Sequence, residues 1–152
     1  MIVPDVNLLL YAYDASSRYH PASRDWWEKT LNGDERVGLP WHTILGFVRL
    51  TTNPRISDFP LSPEAAIQAV RTWLSHPRVE ILQPGDRHAE ILFGLIAAAG
   101  VAGNLTSDAH LAAIAIEHRA ELVSTDRDFA RFRGLRWSNP IERSVTGPRP
   151  IR

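Results

Sequence analysis

The sequence has no cysteine in its 152 residues, which excludes a disulfide framework, a thiol nucleophile and a thiolate metal site. Lysine is almost missing: of 17 lysines and arginines, only Lys29 is a lysine. Net charge is missing as well, with 17 cationic side chains against 17 acidic ones, so a globally basic nucleic-acid binder is not indicated. No apolar run reaches the length of a membrane span, and no basic region followed by a signal-type apolar core opens the chain. The expectation is a cytoplasmic protein without a membrane partner. GxxxxGK[ST] is absent, which argues against a P-loop nucleotide hydrolase. The six histidines never form HxH or HExxH, and a hydrogen-bonded or surface role is expected for each.

What is present is an ordinary globular composition, 44% hydrophobic and 22% charged, long enough for one domain with a real core. Arginine's planar fork suits phosphate and carboxylate partners better than lysine's point charge. Eight arginines lie from Arg119 to Arg152, opposed only by Glu121, Asp126, Asp128 and Glu142. A cation held by the two aspartates would leave that end markedly positive.

Strand and helix patterns alternate. MIVP reads as a strand and VNLLLYAY as a helix; ASRDWWEKTLNG is a second helix, ERVGLP a short strand, and WHTILGFVRLTTN a third helix stopped by Pro54. Ser62, Pro63 and Glu64 mark the start of a fourth helix. RVEILQP follows as a strand, DRHAEILFGLIAAAG as a helix closed by Gly100, and NLTSDAHLAAIAIEHRA as another. ELVST is the next strand, then a short DFARF turn and LRW. This alternation predicts an α/β fold around a mainly parallel sheet. The expected domain spans 1–141, with 142–152 as a Pro- and Arg-containing tail. Trp26, Trp27, Trp41 and Trp73 read as core or helix-packing residues.

In such sheets functional residues gather beyond the carboxyl ends of the strands. Asp5 follows the first strand, and Asp126 follows ELVST, with Asp128 two residues on. Asp108 lies in the first turn of its helix, on the side that also carries Leu111, Ala112 and Ala115. Each acid has a bland explanation: a helix cap for Asp5, a dipole-complementing acid for Asp108, a turn residue for Asp126. Three bland explanations do not account for three acids at strand ends and on an inward helix start. Clustered carboxylates repel unless a cation holds them. An all-oxygen set suits Mg²⁺, or Mn²⁺ in its place, over zinc. A receiver-type domain would want a lysine at another strand end, and an aspartyl-nucleophile hydrolase an aspartate where Asn7 stands. Metal-dependent phosphodiester cleavage is the chemistry left.

PDVNLLLYAYD and GNLTSDAHLAAIAIEHRAELVSTDRDFARF resemble the PIN-domain ribonucleases, specifically the VapC toxins of bacterial toxin–antitoxin pairs. The resemblance spans nearly the whole domain and implies a three-layer α/β/α sandwich. It implies Mg²⁺-dependent endonucleolytic cleavage of RNA by metal-activated water. Asp5, Asp108 and Asp126 match the family's metal-binding acids, and Asp128 a position acidic in some members. Asn7 and Ser124 fall where small polar residues support the site. The implied partners are a VapB-type antitoxin, RNA and a second copy in a homodimer.

The departure lies in WHTILGFVRLTTNPRI. Most PIN nucleases carry a glutamate three residues before an arginine there, and counting back from Arg49 lands on Gly46. A water replacing the missing oxygen, His42 or Thr43 reaching in from one turn earlier, or loss of efficient cleavage are the three consequences. The first is favoured. The last would leave a weakened PIN domain that binds RNA or antitoxin without cutting. For Arg49, an ion pair with an acid of the cluster is expected over contact with the scissile phosphate.

Overall fold

A computed structural model describes residues 1–100, 103 and 105–142. In chain order the elements are β1 (Ile2–Pro4), α1 (Val6–Tyr13), α2 (His20–Asn32), β2 (Val37–Pro40), α3 (Trp41–Thr51) and α4 (Pro63–Leu74). β3 (Val79–Leu82), α5 (His88–Ala99), α6 (Leu105–Glu117), β4 (Glu121–Val123), a 3-10 turn (Arg127–Arg131) and β5 (Arg136–Ser138) complete it. The predicted α/β alternation is present throughout. α2 begins at His20, two residues before its expected start, because Pro21 is compatible with a first helical turn, where no amide partner is needed. α4 starts where Ser62 Oγ accepts from the Ala65 amide at 3.1 Å, and α5 ends at Gly100, whose φ of 67° is a left-handed cap.

The strands form one sheet in the order β3-β2-β1-β4-β5, and every pairing is parallel. Each strand's alternate side chains feed two cores. Val37 and Leu39 pack with Leu9, Trp27, Phe47 and Trp73 of α1–α4. On the other face Val3, Leu122 and Leu82 pack with Leu95 of α5 and the Leu111–Ala115 stretch of α6. The result is three layers, helices over both faces of a buried parallel sheet. The Leu82 side chain of β3 lies over Gly38 of β2 and fills the space a side chain there would need: a Cβ would fall 2.4 Å from Leu82 Cδ1. Trp27 and Trp73 are core residues, but Trp41 is 45% exposed at the start of α3. Its expected burial is therefore corrected: it is the first residue of the helix, after the N-cap Pro40, and its side chain stands toward solvent.

Ile141 is buried with Leu8 and Val123 and anchors the end of the described chain. The expected tail, apart from Glu142, lies outside the described residues. Among the described residues no helix is long and apolar enough to cross a membrane.

The strand order reverses between β1 and β4. Chain leaving β1 winds toward β2 and chain leaving β4 runs toward β5, and it is at such a divergence, outside the strands' carboxyl ends, that parallel α/β sheets form their ligand crevice.

Candidate active site

Asp5 and Asp126 stand on the two lips of that crevice. Pro4 pairs with Val123 in the sheet, and the Asp5 amide continues the ladder by donating to Val123 O at 2.9 Å. Asp5 then caps α1, its Oδ1 accepting from the Val6 amide at 2.7 Å. Its Oδ2 accepts from the Ser124 hydroxyl at 2.7 Å. Ser124 is fully buried and joins both lips, because its Oγ also accepts from the Asp126 amide at 3.0 Å and from Asn7 Nδ2 at 3.1 Å. Asn7 Nδ2 also donates to Thr125 Oγ1 at 2.9 Å. Asp126 caps the 3-10 turn, accepting from the Asp128 amide at 2.8 Å. Asp108 arrives from the other layer, in the first turn of α6.

The charges of these acids meet. Burial pushes the Asp5 carboxyl up, against the opposing bonds from Ser124 and Val6, and Asp126 adds repulsion. Asp108 is pushed up to about 6, first by burial and then by the charges of Asp5, Asp126 and Asp128. A group of like charges this close is costly without a counter-charge. Beside it the Asn7 Oδ1 atom is buried with no hydrogen-bond partner among the described residues. Oxygen donors, mutual repulsion and an unsatisfied buried acceptor together fit a hard divalent cation. As the side chains stand, no three acids or histidines among the described residues are grouped tightly enough to hold one ion. Local donors explain part of this, since both Asp5 oxygens and one Asp126 oxygen are already engaged.

The residues around Gly46 fall out differently from one another. Thr43 is buried and its hydroxyl donates to Pro4 O at 3.2 Å, so it braces the end of β1 instead of reaching the acids. His42 is exposed, and its charge favours the Asp5 carboxylate. Arg49 is exposed and makes no ion pair among the described residues, which corrects the expected pairing with the acid cluster. Asp5 and Asp126 already have local hydrogen-bond donors, and Arg49 lies outward on α3.

One arrangement has no signal in the sequence. His88 Nε2 and His110 Nδ1 are 2.9 Å apart, and the His42 ring centroid lies 5.6 Å from that of His110. The three rings come from α5, α6 and α3, so no spacing rule finds them. Burial, then the neighbouring imidazoles, hold His110 below its ordinary value. His118, just past the end of α6, bonds Gln83 O at 2.8 Å and is structural.

The chain matches the PIN domain over residues 2–135. It is 45% identical over 141 residues to the ribonuclease VapC33 of Mycobacterium tuberculosis, covering 93% of this chain and 99% of that protein. It is 46% identical over 140 residues to the ribonuclease VapC37 of the same species, covering 92% and 97%. In fold it is similar to VapBC2 of Rickettsia felis bound to a promoter DNA fragment, with a TM-score of 0.66 at 19% identity, covering 91% of this chain and 98% of that one. A second fold match is M. tuberculosis VapC20, described as a sarcin-ricin-loop-cleaving toxin, with a TM-score of 0.62 at 18% identity over 90% and 99% of the two chains.

Proposed function

The chain belongs to the PIN-domain family, among its VapC ribonucleases, and from this premise we propose that it cleaves RNA at the β1/β4 crevice with a divalent cation, Mg²⁺ or Mn²⁺, held by Asp5, Asp108 and Asp126. Asp128 is the fourth acid in reach of the same charge. The observation that carries this reading is that Ser124 ties the Asp5 carboxylate to the Asp126 amide while Asp108 comes near enough to feel both acids, its carboxyl raised to about 6 first by burial and then by the charges of Asp5, Asp126 and Asp128. These carboxylates sit where the fold places ligands, and they sit together at an electrostatic cost.

When bound, the cation supplies an acidified water as nucleophile and offsets charge on the phosphate oxygens. The chain's own residues do the rest. Ser124 and the Val6 amide orient the Asp5 carboxylate, Asn7 holds Ser124 and Thr125 in place, and the Asp128 amide fixes Asp126. Such outer hydrogen bonds set ligand direction and basicity.

The partner we propose is a VapB-type antitoxin, as in the VapBC complexes that share the fold. A groove lined by Leu10, Tyr13, Leu50, Ile56, Phe59 and Leu61 supports it, suiting the apolar face of a partner helix. A homodimer belongs to the same proposal, on the strength of the family resemblance. A cytoplasmic toxin, with a nuclease domain at 1–141 and a tail beyond, completes the proposal.

The test is incubation of total cellular RNA with purified, antitoxin-free chain in Mg²⁺, Mn²⁺ or EDTA, beside Asp5→Asn. Metal-dependent fragments missing from the variant are expected. Intact RNA with either metal would overturn cleavage and leave a binding role.

A further inference from the structure

A pocket that begins at Val6, the residue after Asp5, is lined by Val6, His42, Leu45, Gly46, Arg49 and Leu50. Val6 links it to the crevice, because its amide binds the Asp5 carboxylate. The charge pattern here is the reverse of the crevice. The lining contains no acid, and α3, WHTILGFVRLT, contains none anywhere. Its two bases, His42 and Arg49, have no ion-pair partner among the described residues. They stand seven residues apart, two helical turns or about 10 Å, and Gly46 lies between them four residues after one and three before the other. All three therefore share one helix face. Glycine leaves that face open where a longer side chain would stand between the bases. The same glycine lets α3 lie close on α1, since a Cβ at Gly46 would meet Val6 Cγ2 at 3.3 Å, tighter than an ordinary contact.

We propose that this pocket is a seat for an RNA phosphodiester neighbouring the scissile one, with Arg49 and His42 as its positioning contacts and Gly46 as its open floor. The inference rests on the ribonuclease reading above. A polyanion led toward several carboxylates needs opposite charge on the adjoining surface, and α3 supplies it without placing an acid in the path. Arg49 offers the planar fork suited to phosphate oxygens, and His42 offers ring N–H donors. Leu45, 62% exposed, gives the seat an apolar edge for a ribose.

The experiment measures fluorescence anisotropy of a labelled single-stranded RNA against KCl concentration in EDTA, with steady-state cleavage in Mg²⁺ run in parallel. Wild type, Arg49→Gln, Arg49→Lys, His42→Gln, Gly46→Leu and the distant control Arg71→Gln are compared, each checked for an unchanged melting curve. Losing one phosphate contact lowers the log–log salt slope by about 0.7 on a single strand. Arg49→Gln is expected to show that drop and a several-fold higher KM with kcat little changed. Arg49→Lys restores part of the slope, His42→Gln weakens binding less, and Gly46→Leu reproduces Arg49→Gln by filling the seat. Arg71→Gln matches wild type. Wild-type slope and KM in folded Arg49→Gln, while wild type still cuts RNA, overturns the seat alone. A wild type that neither binds nor cuts RNA overturns the seat and the ribonuclease reading together.

Discussion

The Ser124 hydroxyl donates to Asp5 Oδ2 at 2.7 Å across 119 positions of sequence, and its oxygen in turn accepts from the Asp126 amide. One buried serine thus ties together the two lips of the crevice. Ser124→Ala removes the bond that favours the Asp5 carboxylate and strands the Asp126 amide. The expected cost is about 1–3 kcal/mol of stability, the range for an unsatisfied buried group. Metal affinity should fall about 10–100-fold, as for other supporting hydrogen bonds around a metal. Urea unfolding and Mn²⁺ titration calorimetry measure the two effects; an unchanged affinity would show that Ser124 does not orient the ligand.

Asp108 makes stability depend on pH with a definite sign. Its carboxyl is raised from about 3.8 to about 6, so between these values the folded chain holds more protons than the unfolded one. Stability of the metal-free protein therefore falls as pH rises through that window. Asp108→Asn should flatten the slope and leave the metal-free protein more stable than wild type at pH 7.5. Its RNA cleavage should drop by about 100-fold or more, the upper end of what merely supporting residues cost. A variant less stable than wild type at that pH would refute the argument from burial and repulsion.

Metal should reverse this penalty. With Asp108 protonated at pH 5 the site is poorly prepared for a cation, and with it ionised at pH 7.5 it is ready. At a hundred times its Kd, a ligand that binds only the folded state contributes about 2.7 kcal/mol. The Mg²⁺-induced rise in melting temperature should therefore be large at pH 7.5 and small at pH 5, and Asp5→Asn should suppress it at both. Equal shifts at the two pH values would place the ion elsewhere.

Asp5, Asp108 and Asp126 could be singled out from the sequence because strand ends and an inward helix face are local patterns. α1 was legible to the residue, since an apolar run after a capping aspartate leaves little freedom. The His42–His110–His88 array was not, because its rings meet only after three helices pack. Arg49 was misread for a related reason. A sequence shows an arginine and nearby acids, but not that those acids are already served by Ser124 and backbone amides. Trp41 failed through exposure: a helix's apolar period does not reveal which of its first residues overhangs solvent.

Arg119 offers a stabilising change remote from this chemistry. It follows α6 with a φ of 53°, the left-handed conformation in which helices usually place glycine. The Ala120 amide bonds Ala115 O at 2.8 Å, closing the helix end around it. A non-glycine residue in that region costs about 1–2 kcal/mol, while glycine adds about 0.5–1 kcal/mol of unfolded-state entropy. The balance favours Arg119→Gly by about 0.5–1 kcal/mol. The contact from Arg136 Nη2 goes to the Arg119 backbone oxygen at 2.6 Å, so it survives the substitution. Arg119 lies at the amino end of β4, whereas Asp5 and Asp126 lie at the carboxyl ends of β1 and β4, so cleavage should match wild type while the urea midpoint rises. A lower midpoint would mean that the arginine side chain contributes more to the helix end than its strained backbone costs.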